Sequence, residues 1–62
     1  MSYEADNPFA VVDNECSPPY TVTRYARVEQ AVWYLRYLAD HGGTVLRAKV
    51  ERGGYSIDPL RS

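Results

Sequence analysis

Residues 27–41, RVEQAVWYLRYLADH, carry the one strong and sustained helical period in the chain, and the other segments must pack on them. At about 100° per residue, Val28, Ala31, Val32, Leu35, Leu38 and Ala39 fall on one side of the wheel, the i, i+3, i+4, i+7 spacing of a core-facing stripe. Trp33 and Tyr37 fall one turn apart on the opposite side, among Glu29, Gln30 and Asp40, with Tyr34 on the flank. A bulky aromatic pair turned away from the core points to binding rather than to chemistry. Neither Ala26 nor Arg27 offers the side-chain oxygen with which Ser, Thr or Asp caps orphan amides, so the first turn is expected to fray. The far end is marked clearly. After His41, Gly42 is expected to take the left-handed conformation that closes a helix.

Upstream, the short β-branched run FAVVD (residues 9–13) begins after Pro8, ends at the turn-prone Asp13-Asn14 and reads as a first strand. NECSPP is a loop held extended by its tandem proline, and YTVTRY (residues 20–25) reads as a second strand, close enough to the first for a hairpin. Residues 1–7 offer little to bury except Tyr3 and read as a loose N-terminal arm. Downstream of the helix, TVLRAKVER (residues 44–52) alternates, with Leu46, Ala48 and Val50 on one face and Val45, Arg47, Lys49 and Glu51 on the other. It reads as a third strand. Gly53-Gly54 then supplies a two-residue turn, and residues 55–58 a fourth strand stopped by Pro59, with Val50 opposite Ile57 and Arg52 opposite Tyr55. The expected fold is α+β: a single helix packed on a small antiparallel sheet, in the order strand, strand, helix, strand, strand.

The 62 residues make one domain near the lower size limit for folding without staples, where only about 60% of the chain's surface becomes buried. Exposed aromatics are costly in so small a chain. The lone Cys16 excludes an internal disulfide and, with a single histidine, leaves no metal set, so no cofactor is expected. No apolar run approaches the ~18 residues of a membrane span, and the acidic start MSYEADNPF is unlike a signal peptide. The expectation is a soluble protein of the reducing cytoplasm of a bacterial cell.

The net charge of −1 conceals an asymmetry. Residues 1–23 hold Glu4, Asp6, Asp13 and Glu15 with no Lys or Arg, whereas residues 24–62 hold seven basic groups against Glu29, Asp40, Glu51 and Asp58. Such polarity can steer a charged partner, although at ~0.15 M salt the Debye length of ~8 Å lets only clustered charges act.

Catalytic constellations are missing from this pattern. Nothing in the spacing brings Cys16 and His41 together, and a thiol beside Glu15 lacks the electropositive setting that activates it. Asp13 and Glu15 read as solvated acids, and the two Gly-Gly pairs as turn chemistry without phosphate-cradling spacing. His41 suits a helix C-terminus, where its charged form favours the dipole. The chain is not expected to be an enzyme.

Two binding constellations remain. Trp33, Tyr34 and Tyr37, with Arg36 and Asp40 beside them, are the residue types that dominate interface hot spots. The same face could instead be covered by the N-terminal arm or strand one, or pair with another copy, so the chain is expected to be a monomer or a homodimer. The acids Glu4, Asp6, Asp13 and Glu15 form a second candidate surface, able to imitate phosphates. The alternative is a small regulatory or nucleic-acid-binding domain, in which Arg24, Arg47, Lys49 and Arg52 with Tyr20, Tyr25 and Tyr55 on a sheet face contact phosphates and stack on bases. Against it stands a pI near 5.6, where a nucleic-acid domain carries a basic excess.

The short cytoplasmic chain, the helix followed by the expected hairpin TVLRAKVERGGYSI, the missing catalytic set and the polarised charge together resemble the small phage-encoded anti-CRISPR proteins. The resemblance is one of architecture and assigns no residue a role. It implies a stoichiometric inhibitor that occupies a surface of a CRISPR effector complex and blocks target DNA binding or nuclease recruitment.

Overall fold

The sheet is assembled on β1, Phe9–Asp13, whose β-branched run pairs on both sides. In the computed structural model, which describes residues 3–59, α1 (Tyr3–Asp6) precedes it, and β2 (Tyr20–Tyr25), α2 (Val28–His41), α3 (Gly43–Glu51) and β3 (Tyr55–Pro59) come after it. The strand order is β2-β1-β3, antiparallel throughout. The fold is α+β, with three strands and α2 lying across all of them. Among the described residues, no helix is long and apolar enough to cross a membrane.

β1 and β2 form the expected hairpin, with Phe9 opposite Tyr25 and Asp13 opposite Tyr20. Its register shifts between Val11 and Val12, because Val22 is an extra residue bulged out between Thr21 and Thr23. On the other side Val11 meets Ile57 and Asp13 meets Tyr55. The pleat therefore gathers Phe9, Val11 and Asp13 with Thr23, Tyr25, Tyr55 and Ile57 on one face. The core is small: among the described residues, Ala10, Val11 and Ala31 are its buried apolar side chains.

Several expectations are corrected. Residues 44–52 are not a strand, because Gly43–Glu51 form α3, docked on α2. Leu46 and Val50, half-buried, fit a helical i, i+4 spacing as well as an alternating one; Ala48, which alternation would bury, is exposed. Leu, Arg, Ala, Lys and Glu favour a helix here, and β3 takes β1 as its partner, so Val50 does not face Ile57 nor Arg52 Tyr55. Gly53-Gly54 accordingly ends a helix rather than turning a hairpin. Gly53, at φ +78°, donates to the Val50 carbonyl at 3.1 Å, and Gly54 donates to the Lys49 carbonyl at 2.8 Å. This is the paired closure of a Schellman motif.

The end of α2 is shifted by one residue from expectation. Gly42 donates to the Leu38 carbonyl at 2.9 Å but has φ −85°, while Gly43 takes the left-handed conformation at φ +87°. Gly42 is required for space instead: a Cβ there would lie 2.5 Å from the Leu38 carbonyl oxygen and 2.6 Å from Leu46 Cδ1. At the other end, the first turn is tied down despite the missing cap residue, because the Arg27 amide donates to Gln30 Oε1 at 3.1 Å. That is the reciprocal half of a capping box. The N-terminal arm also contains a helical turn, Tyr3–Asp6, and the Asn7 carbonyl accepts from Arg24 Nη1 at 3.4 Å. Met1 and Ser2 of that arm lie outside the described residues.

Candidate functional site

The wheel of α2 is turned relative to the expected stripe. Ala31 is buried and Tyr34, Leu35, Leu38 and Ala39 are half-buried, but Val28 and Val32 are 40% and 43% exposed. Five residues of length explain this: α3 has nine and α2 fourteen, so α3 leaves the first turns of α2 uncovered. The two valines therefore stay open to solvent and, with Glu29 and Arg36, line a depression on the side of Trp33 away from Tyr37 and His41.

The outer face of α2 carries an aromatic ladder. Spacing of i, i+4 sets side chains one above another on a helix. Trp33 and Tyr37 stack with ring centroids 5.5 Å apart and planes 25° from parallel, and Tyr37 continues onto His41 at 4.9 Å. Trp33 is 63% exposed and Tyr37 48%. Shallow depressions flank the indole. One is lined by Trp33, Arg36, Tyr37, Asp40 and His41, another by Val28, Glu29, Val32, Trp33 and Arg36, and a third by Tyr25, Glu29, Gln30 and Trp33. Glu29, Arg36 and Asp40 form no ion pair among the described residues, so the charges on this face are available to a partner.

Of the expected partner-binding residues, Trp33, Arg36, Tyr37 and Asp40 thus come together. Tyr34 does not. Its ring turns inward onto Tyr25, at 6.0 Å between centroids, and burial raises its pKa above the ordinary value. His41 belongs to the face and the Val28–Val32 pair borders it, but neither was expected there. Continuing the Trp33–Tyr37 spacing one more turn would have found His41; nothing local signals that the valines stay uncovered.

The acidic candidates separate. Asp6 is exposed on α1, and the side chain of Glu4 lies outside the described residues. Asp13 and Glu15 sit where β1 turns away, and both are bound within the molecule. Lys49 Nζ reaches Asp13 Oδ2 at 2.5 Å while lying 4.8 Å from the Tyr55 ring centroid. Arg52 grips Glu15 with two bonds of 2.6 Å. The Lys49 hydrogen bond, then the Glu15 amide bonding Asp13 Oδ1 at 3.0 Å, hold the Asp13 carboxyl below its ordinary pKa. The Arg52 hydrogen bond does the same for Glu15. The cations respond in the opposite sense, Lys49 raised by Asp13 and Arg52 by Glu15. These groups tie α3 to the end of β1.

The basic residues of the alternative reading do not share a sheet face. Lys49, Arg47 and Arg52 stand on or just after α3, because that segment is helical. Arg47 pairs with Glu51 at 3.4 Å, Lys49 and Arg52 are engaged as above, and Arg24 bonds Asn7. Tyr55 lies under Lys49, and Tyr20 stands exposed at the start of the β2 edge. Cys16 is exposed in the β1–β2 loop, whereas His41 is stacked on Tyr37. Among the described residues, no three His, Cys, Asp or Glu side chains gather as a metal site. No family model, curated protein or solved structure matches this chain.

Proposed function

We propose that this chain is a non-enzymatic protein-binding inhibitor that seats the outer face of α2 on its target. The observation that carries the reading is the exposed Trp33–Tyr37–His41 ladder beside exposed Val28 and Val32, in a domain whose buried apolar core, among the described residues, is Ala10, Val11 and Ala31. A chain this small leaves its largest side chains in water only against a loss of folding energy, which binding recovers by desolvating them. The architectural resemblance to anti-CRISPR proteins makes a subunit of a CRISPR effector complex the target to test first, blocked at its DNA-binding or nuclease-recruiting surface. Nucleic acid is the weaker reading, because Arg47, Lys49 and Arg52 are already paired with carboxylates.

The test is titration of a purified effector complex with wild type, Trp33→Ala and Tyr37→Ala at low and high salt. Each substitution is expected to leave the fold intact and to weaken binding by about 2 kcal/mol or more, with little salt dependence. Inhibition by both variants at wild-type concentrations would remove the reading.

A further inference from the structure

We infer that the depression between Tyr25 and Trp33 seats one basic side chain of the target, an arginine whose guanidinium lies against the two rings and pairs with Glu29. The inference rests on the reading of the outer face of α2 as the protein-binding one and names the chemistry that this face recognises. The depression, of about 370 Å³, is lined by Tyr25, Glu29, Gln30 and Trp33. Spacing of i, i+3 and i, i+4 puts Gln30 and Glu29 one turn before Trp33, and β2 ends on Tyr25 just before α2 begins. Three of the four residues are held before any partner arrives. Trp33 is stacked on Tyr37, Tyr25 leans on Tyr34 with centroids 6.0 Å apart, and Gln30 accepts from the Arg27 amide at 3.1 Å. Walls fixed in advance spare the entropy of ordering them on binding. Tyr37 takes the face of the indole toward the helix C-terminus, so the other face is left open toward Glu29, one turn earlier.

Charge selects the occupant. The faces of Trp and Tyr rings attract cations through their quadrupoles, and Glu29, exposed and without an ion pair among the described residues, adds a full negative charge beside them. No cation of this chain lines the depression to answer it. Arg24 turns to the Asn7 carbonyl at 3.4 Å, Arg27 is not among the lining residues, and Arg36 lines the two other depressions around the indole. An apolar occupant would cover the rings but strip water from the carboxylate without replacing it. A guanidinium meets both demands, because its planar, weakly hydrated group stacks on aromatic faces while its N–H fork bonds a carboxylate. One such pair at the rim adds little salt dependence, in keeping with a face dominated by aromatic contact.

Nuclear magnetic resonance titration with short capped peptides tests this, read at the indole N–H of Trp33, the single tryptophan of the chain. The probes are Gly-Arg-Gly, Gly-citrulline-Gly, which keeps the planar shape without the charge, and Gly-Leu-Gly. The arginine peptide is expected to shift the indole resonance saturably, and both neutral peptides to bind more weakly. Glu29→Gln should weaken the arginine peptide about threefold or more and narrow its advantage over citrulline. Arg36→Gln, outside the depression, should not weaken it. Both positions are exposed, so the fold stays undisturbed, which circular dichroism verifies. The absence of a saturable shift with the arginine peptide, neutral peptides that bind as well as it does, or a Glu29→Gln variant that binds it as wild type does each overturn the inference. The two readings fail separately: a chain that ignores the arginine peptide but loses inhibition with Trp33→Ala removes only the arginine seat, whereas a Glu29-dependent arginine seat in a chain whose Trp33→Ala variant still inhibits removes only the proposed function.

Discussion

Glycine is used here for two different reasons at adjacent positions, and substitution separates them. At Gly43 the φ of +87° is the whole constraint, since a Cβ meets nothing within 4 Å. Gly43→Ala should cost about 1 kcal/mol, the usual penalty for an L-residue in the left-handed region. At Gly42 the dihedrals suit any residue, but the Cβ would press on the Leu38 carbonyl and on Leu46. Backbone must move to relieve it, so Gly42→Ala should lower the melting temperature more than Gly43→Ala does. The reverse order in a thermal melt would place the left-handed residue one position earlier. Valines divide in the same way. Val11 has no exposure and Val45 is 76% exposed. Val11→Ala should cost roughly 2 kcal/mol by denaturant titration, and Val45→Ala close to nothing.

At the scale of elements, the helical state of Gly43–Glu51 decides the topology, because it frees β3 to pair with β1. Ala48 reports on that state directly. It is exposed, so replacing it with threonine changes little packing and chiefly tests backbone preference. Threonine is worse than alanine in a helix by roughly 0.5 kcal/mol and better in a strand. Ala48→Thr should therefore destabilise the protein slightly, and a gain in stability would argue for a strand. Gly54 shows how tightly the end of α3 is joined to β3 and to the loop after β1. It is buried, and a Cβ there would lie 2.6 Å from Lys49 Cγ and 2.7 Å from Glu15 Oε2. The Asn14 amide also donates to its carbonyl at 2.8 Å, so these segments meet at a residue with no side chain.

Across the whole molecule, the two-ended charge of the chain is partly consumed by folding. Asp13 and Glu15, from the acidic third, pair with Lys49 and Arg52 from the basic remainder, so little of the asymmetry is left to steer a partner. The sign of the pH dependence is set by these pairs. Both carboxyls have folded pKa values below their ordinary 3.8 and 4.5, so their contribution is full above that range and is lost as pH falls through the folded values. Lys49 and Arg52 are held above their ordinary values by these same carboxylates, so their contribution persists through neutral pH and fades only in strong alkali. Thermal melts should thus show a plateau across neutral pH and a decline below about pH 4. Asp13→Asn should flatten that acid decline; an unchanged slope would mean that the Lys49 contact does not form in solution. Equilibrium unfolding of the wild type should be a single transition, as expected of one domain of this size.

The sequence by itself determined what depends on near neighbours. The strand FAVVD, the strand YTVTRY and their hairpin arise from β-branched composition and intervening turn residues. The long helix, its closure at the glycine pair and the outward Trp33–Tyr37 ladder arise from a period sustained over fourteen residues. Only the tertiary structure decided the state of residues 44–52, because nine residues with apolar groups two and four apart satisfy both periods, and the docking of α3 on α2, which leaves β3 to pair with β1, chooses between them. It alone decided which side of α2 is covered, since the length of α3 sets where Val28 and Val32 emerge into solvent. It alone brought Asp13 to Lys49, 36 residues away, and Glu15 to Arg52, 37 away, because such pairs form only after the sheet and both helices have met.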